Sequence, residues 1–181
     1  MRLYDRVWSL IRERHLFVVD FWNGATGSNG CLAAGRAGGY FHVNWNGDVS
    51  PCVFFPYTPV NAKEVFARGG TLDDAWSHPF FADIRRWQRR QGYREAGEAC
   101  PDCGNWMAPC LIRDHHADFR RIVAPGGVEP TDADARAAQD DLGWHEGLEQ
   151  FDREFQALAD PVWERVYLRS PGIPPGKTRR Y

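Results

Sequence analysis

No apolar run among the 181 residues approaches the roughly 20 that a helix needs to cross a membrane, so a spanning helix is not expected. Charge of one sign is also missing. Lys and Arg total 22 against 24 Asp and Glu, a net charge of −2, and no global field favours nucleic acid. The N-terminus lacks the charged, apolar, small-residue order of a secretory signal; Met1-Arg2-Leu3-Tyr4-Asp5-Arg6 opens a helix instead. The cytoplasm is therefore the expected compartment, where cysteines serve as metal ligands more often than as a disulfide framework. Internal repeats are absent. What the chain does have is an ordinary globular balance with eight Trp and eleven Phe, an aromatic load that calls for a thick core or a large docking face.

It also has five cysteines, an odd number that again argues against paired disulfides. Cys31 is followed by fifteen residues, Gly47, four more residues and Cys52. The second group is Cys100-Pro101-Asp102-Cys103, then Cys110 after a Gly/Pro-containing stretch. Thiolates at such intervals, separated by helical segments, can close on one metal centre from two sides. By donor chemistry alone, zinc and iron–sulfur centres both fit.

The surrounding pattern predicts an α+β fold: a small β-hairpin with helices around it. Leu3, Val7, Leu10 and Ile11 recur at helical spacing over residues 2 to 14. Residues 16 to 22 read as a buried strand that stops at Asn23-Gly24, and the glycine-rich stretch from Gly24 to Gly39 reads as a loop carrying Cys31. Residues 39 to 45 and 48 to 55 alternate around Asn46-Gly47, a hairpin signal that puts Cys52 on the returning strand, facing the loop of Cys31. Short helices are expected over Asn61 to Arg68 and after Thr71. A third carries Phe80, Ile84 and Trp87 inward and the group Arg85, Arg86, Arg89 and Arg90 on a solvated face. Further on, a helix is expected from Leu111 to Val123. A long one then carries Leu148, Phe151, Phe155, Leu158 and Val162 as its apolar stripe, with a break at Asp160-Pro161.

The segment Gly39-Tyr40-Phe41-His42-Val43-Asn44-Trp45-Asn46-Gly47-Asp48-Val49-Ser50-Pro51-Cys52, set in the spacing C-(x15)-G-x-x-x-x-C, closely resembles the SPASM or twitch domain of radical S-adenosylmethionine enzymes. The stretch from Asn61 to Arg86, with Thr-Leu-Asp-Asp-Ala-Trp and Pro-Phe-Phe-Ala-Asp-Ile-Arg, resembles the helices between that family's motifs. The resemblance covers roughly residues 16 to 116 and implies auxiliary 4Fe–4S binding. It assigns Cys31, Cys52, Cys100, Cys103 and Cys110 to metal. Five thiols suffice for one complete cluster and not two, with Cys31, Cys52, Cys100 and Cys103 as its ligands and Cys110 substituting or spare. Asp114, His115 and His116 stand where the family places a further thiolate; the triplet is read here as a polar helix start. The family's radical core motif C-x-x-x-C-x-x-C is absent, so this chain alone is not expected to bind or cleave S-adenosylmethionine.

The expected organisation is a helix and strand at 1–30, the cluster-binding domain at 31–116, a helical extension at 117–168 and a basic tail at 169–181. The expected partner is a radical S-adenosylmethionine core, as another domain or another polypeptide, acting on a peptide or small metabolite. A structural zinc module with no redox role is the competing expectation.

Overall fold

A computed structural model describes residues 2–16, 30–91, 104–125 and 127–165. The expected strand beyond residue 16, the tail at 169–181, and Cys100 and Cys103 lie outside the described residues. Within them the fold is α+β, with helices around two small antiparallel sheets of two strands each.

Helix α1 spans Arg2–Arg14. The hairpin is β1 (His42–Val43) and β2 (Val49–Ser50), paired His42 to Ser50 and Val43 to Val49. Its strands are far shorter than the alternating pattern predicts, because Pro51 brings no N–H to continue a ladder. Cys52 therefore lies in the turn after β2, not on a returning strand, and its carbonyl accepts from Phe55 N–H at 3.1 Å. The turn between the strands is locked by reciprocal side-chain bonds. Asn44 Nδ2 donates to Asp48 Oδ2, and Asp48 N–H donates to Asn44 Oδ1, both at 2.9 Å. Gly47 has φ +93°, where a side chain is strained, and a Cβ there would also stand 3.1 Å from Asn61 Oδ1. The glycine of the G-x-x-x-x-C step is thus a backbone requirement of this turn.

Strand β3 (Tyr57–Thr58) follows and pairs with a distant strand, β4 (Glu129–Pro130), which the alternation did not reveal. Helices α2 (Ala62–Ala67), α3 (Leu72–Ser77) and α4 (Pro79–Arg90) come next. Asn61 caps α2 by accepting from Lys63 N–H, and Thr71 with Asp74 forms a capping box on α3. Helix α5 (His116–Val123) is shorter than the predicted segment from residue 111, since residues 111–114 form a turn in which Asp114 N–H donates to Cys110 O at 2.8 Å. Helices α6 (Ala133–Asp140) and α7 (Leu142–Trp163) complete the described chain.

Helix α7 departs from expectation twice. It continues through Pro161 to Trp163 rather than breaking, because a proline this close to the end removes one hydrogen bond from the last turn and Trp163 is buried against Trp106, ring centres 5.5 Å apart. Its buried residues are His145, Ala159 and Trp163, while Phe151 and Leu158 of the predicted stripe are exposed. The surface it covers explains this. The turn at 110–114 presents an open backbone carbonyl, so α7 meets it with a polar side chain: Gln156 donates to Asp114 O at 2.8 Å.

The main core joins the hairpin region to the later helices. Phe55, Tyr57, Phe80, Phe81, Ile84, Trp87, Phe119 and Val123 are all buried in it. Phe119 sits at its centre, with its ring 5.4 Å from both Phe55 and Tyr57. Tyr57 Oη also donates to Ala135 O at 2.9 Å, tying β3 to α6. Phe119→Ala should remove about 3–5 kcal/mol of stability, read as a lowered denaturant midpoint of the full chain by far-ultraviolet circular dichroism.

Candidate metal centre

Three of the five cysteines are described, all as free thiols: Cys31, Cys52 and Cys110. Three separate pieces of chain bring them together.

Cys31 lies in the loop 30–41, which has no strand or helix of its own. The loop closes on itself through Tyr40 N–H to Leu32 O at 3.0 Å and Gly39 N–H to Arg36 O at 2.8 Å. Gly39 is needed there, since a Cβ would fall 2.3 Å from Leu32 O. The loop docks on the hairpin through Ala34 N–H to Pro51 O at 2.8 Å, which sets Cys31 beside the turn of Cys52. Helix α4 supplies the rest. Gln88 Nε2 donates to Ala33 O at 2.9 Å and Cys31 O at 3.3 Å, and Arg85 donates to Ala34 O at 2.8 Å and Trp76 O at 2.9 Å. Arg85 also lies over the Trp76 ring. The expected solvated arginine face thus has one member, Arg85, that instead fastens the cysteine loop.

Cys110 opens the turn at 110–114. Its N–H donates to Asp114 Oδ2 at 2.9 Å, and that fully buried carboxylate pairs with Arg113. Cys110 is within electrostatic reach of both other thiols: Cys52 senses Cys31 and Cys110, and Cys110 senses Cys31. Tyr40, which no motif singled out, also lies beside Cys52 and Cys31.

Burial is the dominant influence on the three sulfurs. It pushes the thiols of Cys52 and Cys110 up to about 12 and that of Cys31 up as well. Working against burial, nearby backbone amides favour the ionised sulfurs: Ala33 at Cys31, Phe54 and Phe55 at Cys52, Arg113 and Ile112 at Cys110. The donor set is thus three desolvated sulfurs, each already facing an amide dipole suited to a thiolate, and this fits a thiolate-bound metal centre. Among the described residues no three His, Cys, Asp or Glu side chains close tightly enough to hold a single metal ion.

The Asp114-His115-His116 triplet is engaged elsewhere. Asp114 is bound as above, His115 Nε2 meets Ala108 O at 2.9 Å, and buried His116 is held between Ile112 O at 2.7 Å and His145 Nδ1 at 2.8 Å. His145 in turn meets Gln139 O, so the histidines bind α5 to α7.

A loop, a hairpin and a late turn thus bring three thiols near one another, the donor chemistry of a cysteine-based metal-binding domain. Its particular kind follows from comparison with known families: residues 31–104 match the model of SPASM, an iron–sulfur cluster-binding domain. Over these residues the chain is thus similar to an iron–sulfur cluster-binding domain. The match takes in Cys31, Cys52, Cys100 and Cys103, whereas Cys110 lies just past it. No curated protein and no solved structure matches the chain. Among the described residues no helix is long and apolar enough to cross a membrane.

Because the thiolate is the reactive form and each unit of raised pKa removes tenfold of it, Cys52 and Cys110 should alkylate slowly in the folded, metal-free chain. Iodoacetamide at pH 8, followed by peptide mass spectrometry, is expected to label both about a hundredfold or more slowly than in denaturant.

Proposed function

We propose that the chain binds one 4Fe–4S cluster through Cys31, Cys52, Cys110 and a fourth thiolate from the Cys100–Cys103 pair. The observation that carries this reading is the meeting of three half-buried thiols from three chain segments within electrostatic reach of one another, two of them inside the stretch that matches an iron–sulfur cluster-binding domain. In this reading Cys110 serves as a ligand in place of one member of the Cys100–Cys103 pair. A cubane places its irons apart, so its thiolates stand further from one another than those around a single zinc ion. When bound, such a cluster supplies one-electron transfer.

The protein's own contribution is to desolvate the site and aim N–H dipoles at the sulfurs, two of the means by which a fold sets a cluster's potential. Four thiolates fill the ligand positions, which favours electron transfer over direct substrate binding at iron. The absent C-x-x-x-C-x-x-C triplet leaves the binding of S-adenosylmethionine to a core domain or partner polypeptide. The substrate class that follows from the family is a peptide or small metabolite.

Anaerobically purified or reconstituted protein should be brown, with about four irons per chain. Cys31→Ala, Cys52→Ala and Cys110→Ala should each abolish the visible absorption while keeping the far-ultraviolet spectrum. Retention of the full chromophore in the Cys110 variant would return that residue to a structural role. A colourless protein with stoichiometric zinc and no iron would sink the redox reading in favour of a zinc-stabilised interaction module.

A further inference from the structure

Arg36 is the charged group built most closely onto the cluster loop. Its side chain is buried, at 6% exposure, and Nε donates to the carbonyl of Cys31 itself at 2.5 Å. The other guanidinium nitrogens reach Gly30 O at 3.5 Å and Ala37 O at 3.4 Å. The loop is folded around this side chain: Gly39 N–H closes on Arg36 O, and a Cβ at Gly39 would stand 3.0 Å from Arg36 Cγ. The residue is therefore wrapped into the loop from inside. A guanidinium does not lose its proton in a protein, so the site carries a permanent positive charge at this point.

We propose that Arg36 sets the electrostatics of the centre, its fixed charge beside Cys31 raising the potential at which the bound cluster accepts an electron. The inference rests on the iron–sulfur reading above. Thiolate ligation makes a cluster net negative, and reduction adds one more negative charge. A cation held in a poorly screened interior stabilises the reduced form more than the oxidised one. Gln88 provides an internal comparison. It donates to the same Cys31 carbonyl, at 3.3 Å, but is neutral. A clamp that merely orders the loop would make the two donors equivalent, whereas a role for charge separates them.

The test is a redox titration of the reconstituted full chain with dithionite, followed by electron paramagnetic resonance, with iron per chain measured in parallel. In Arg36→Gln the midpoint potential should fall while iron content stays at the wild-type level, and Arg36→Lys should restore most of the loss. An unmoved potential in Arg36→Gln at full iron content overturns the proposal, as does an Arg36→Lys potential as low as that of Arg36→Gln. Should Arg36→Gln fail to hold iron, Gln88→Glu decides. A negative charge on the other donor to the same carbonyl should lower the potential, and no change there overturns the proposal. Absence of iron from the wild-type protein would instead defeat the cluster reading itself, before any variant is compared.

Discussion

The centre depends on a loop that cannot hold its own shape. Residues 30–41 form no regular structure, so their carbonyls need donors from outside, and a buried carbonyl left bare is costly. Helix α4 and the loop's own arginine meet that demand. Gln88 takes Ala33 O and Cys31 O, Arg85 takes Ala34 O, Arg36 takes Cys31 O, and the loop returns one N–H to Pro51 O. The first sulfur thereby stands beside the second, although neither lies in a helix or a strand.

The third thiol arrives by a different route. Cys110 follows the matched domain, and its position is set by elements later still. The Asp114–Arg113 pair shapes its turn, Gln156 of α7 takes Asp114 O, and Phe119 of α5 fills the core beneath. The helical segment after the matched stretch thus helps to place Cys110, because it shares one aromatic core with the hairpin region. Strand β4 makes the same point, adding a second strand to β3 from more than 70 residues away.

Burial and polarity pull in opposite directions at the centre. Three desolvated thiols resist ionisation, yet nearby backbone amides favour their ionised forms, and a buried guanidinium sits against the backbone of one of them. An empty apolar core has no use for these donors, whereas a thiolate-bound cluster does.

Much was legible beforehand where the signal is local. The helix at 2–14, the short helix from about Asn61, the cap at Thr71, the buried face Phe80-Ile84-Trp87 and the Asn46-Gly47 turn all arise from interactions a few residues long, which spacing and capping chemistry report directly. The cysteine spacing named the chemistry, and glycines such as Gly47 marked where a turn had to be tight. Other features were hidden because their causes are distant. Strand β4 exists only by pairing with β3, and the polar face of α7 is buried only because a turn with open backbone groups lies under it. Arg85 and Arg36 look like ordinary surface charges until loop and helix meet. The residue sequence by itself determined that this protein would gather thiols around a glycine-bearing hairpin. Tertiary packing alone decided that Cys110 joins Cys31 and Cys52, since that meeting depends on which carbonyls and aromatic faces the fold leaves for distant segments to cover.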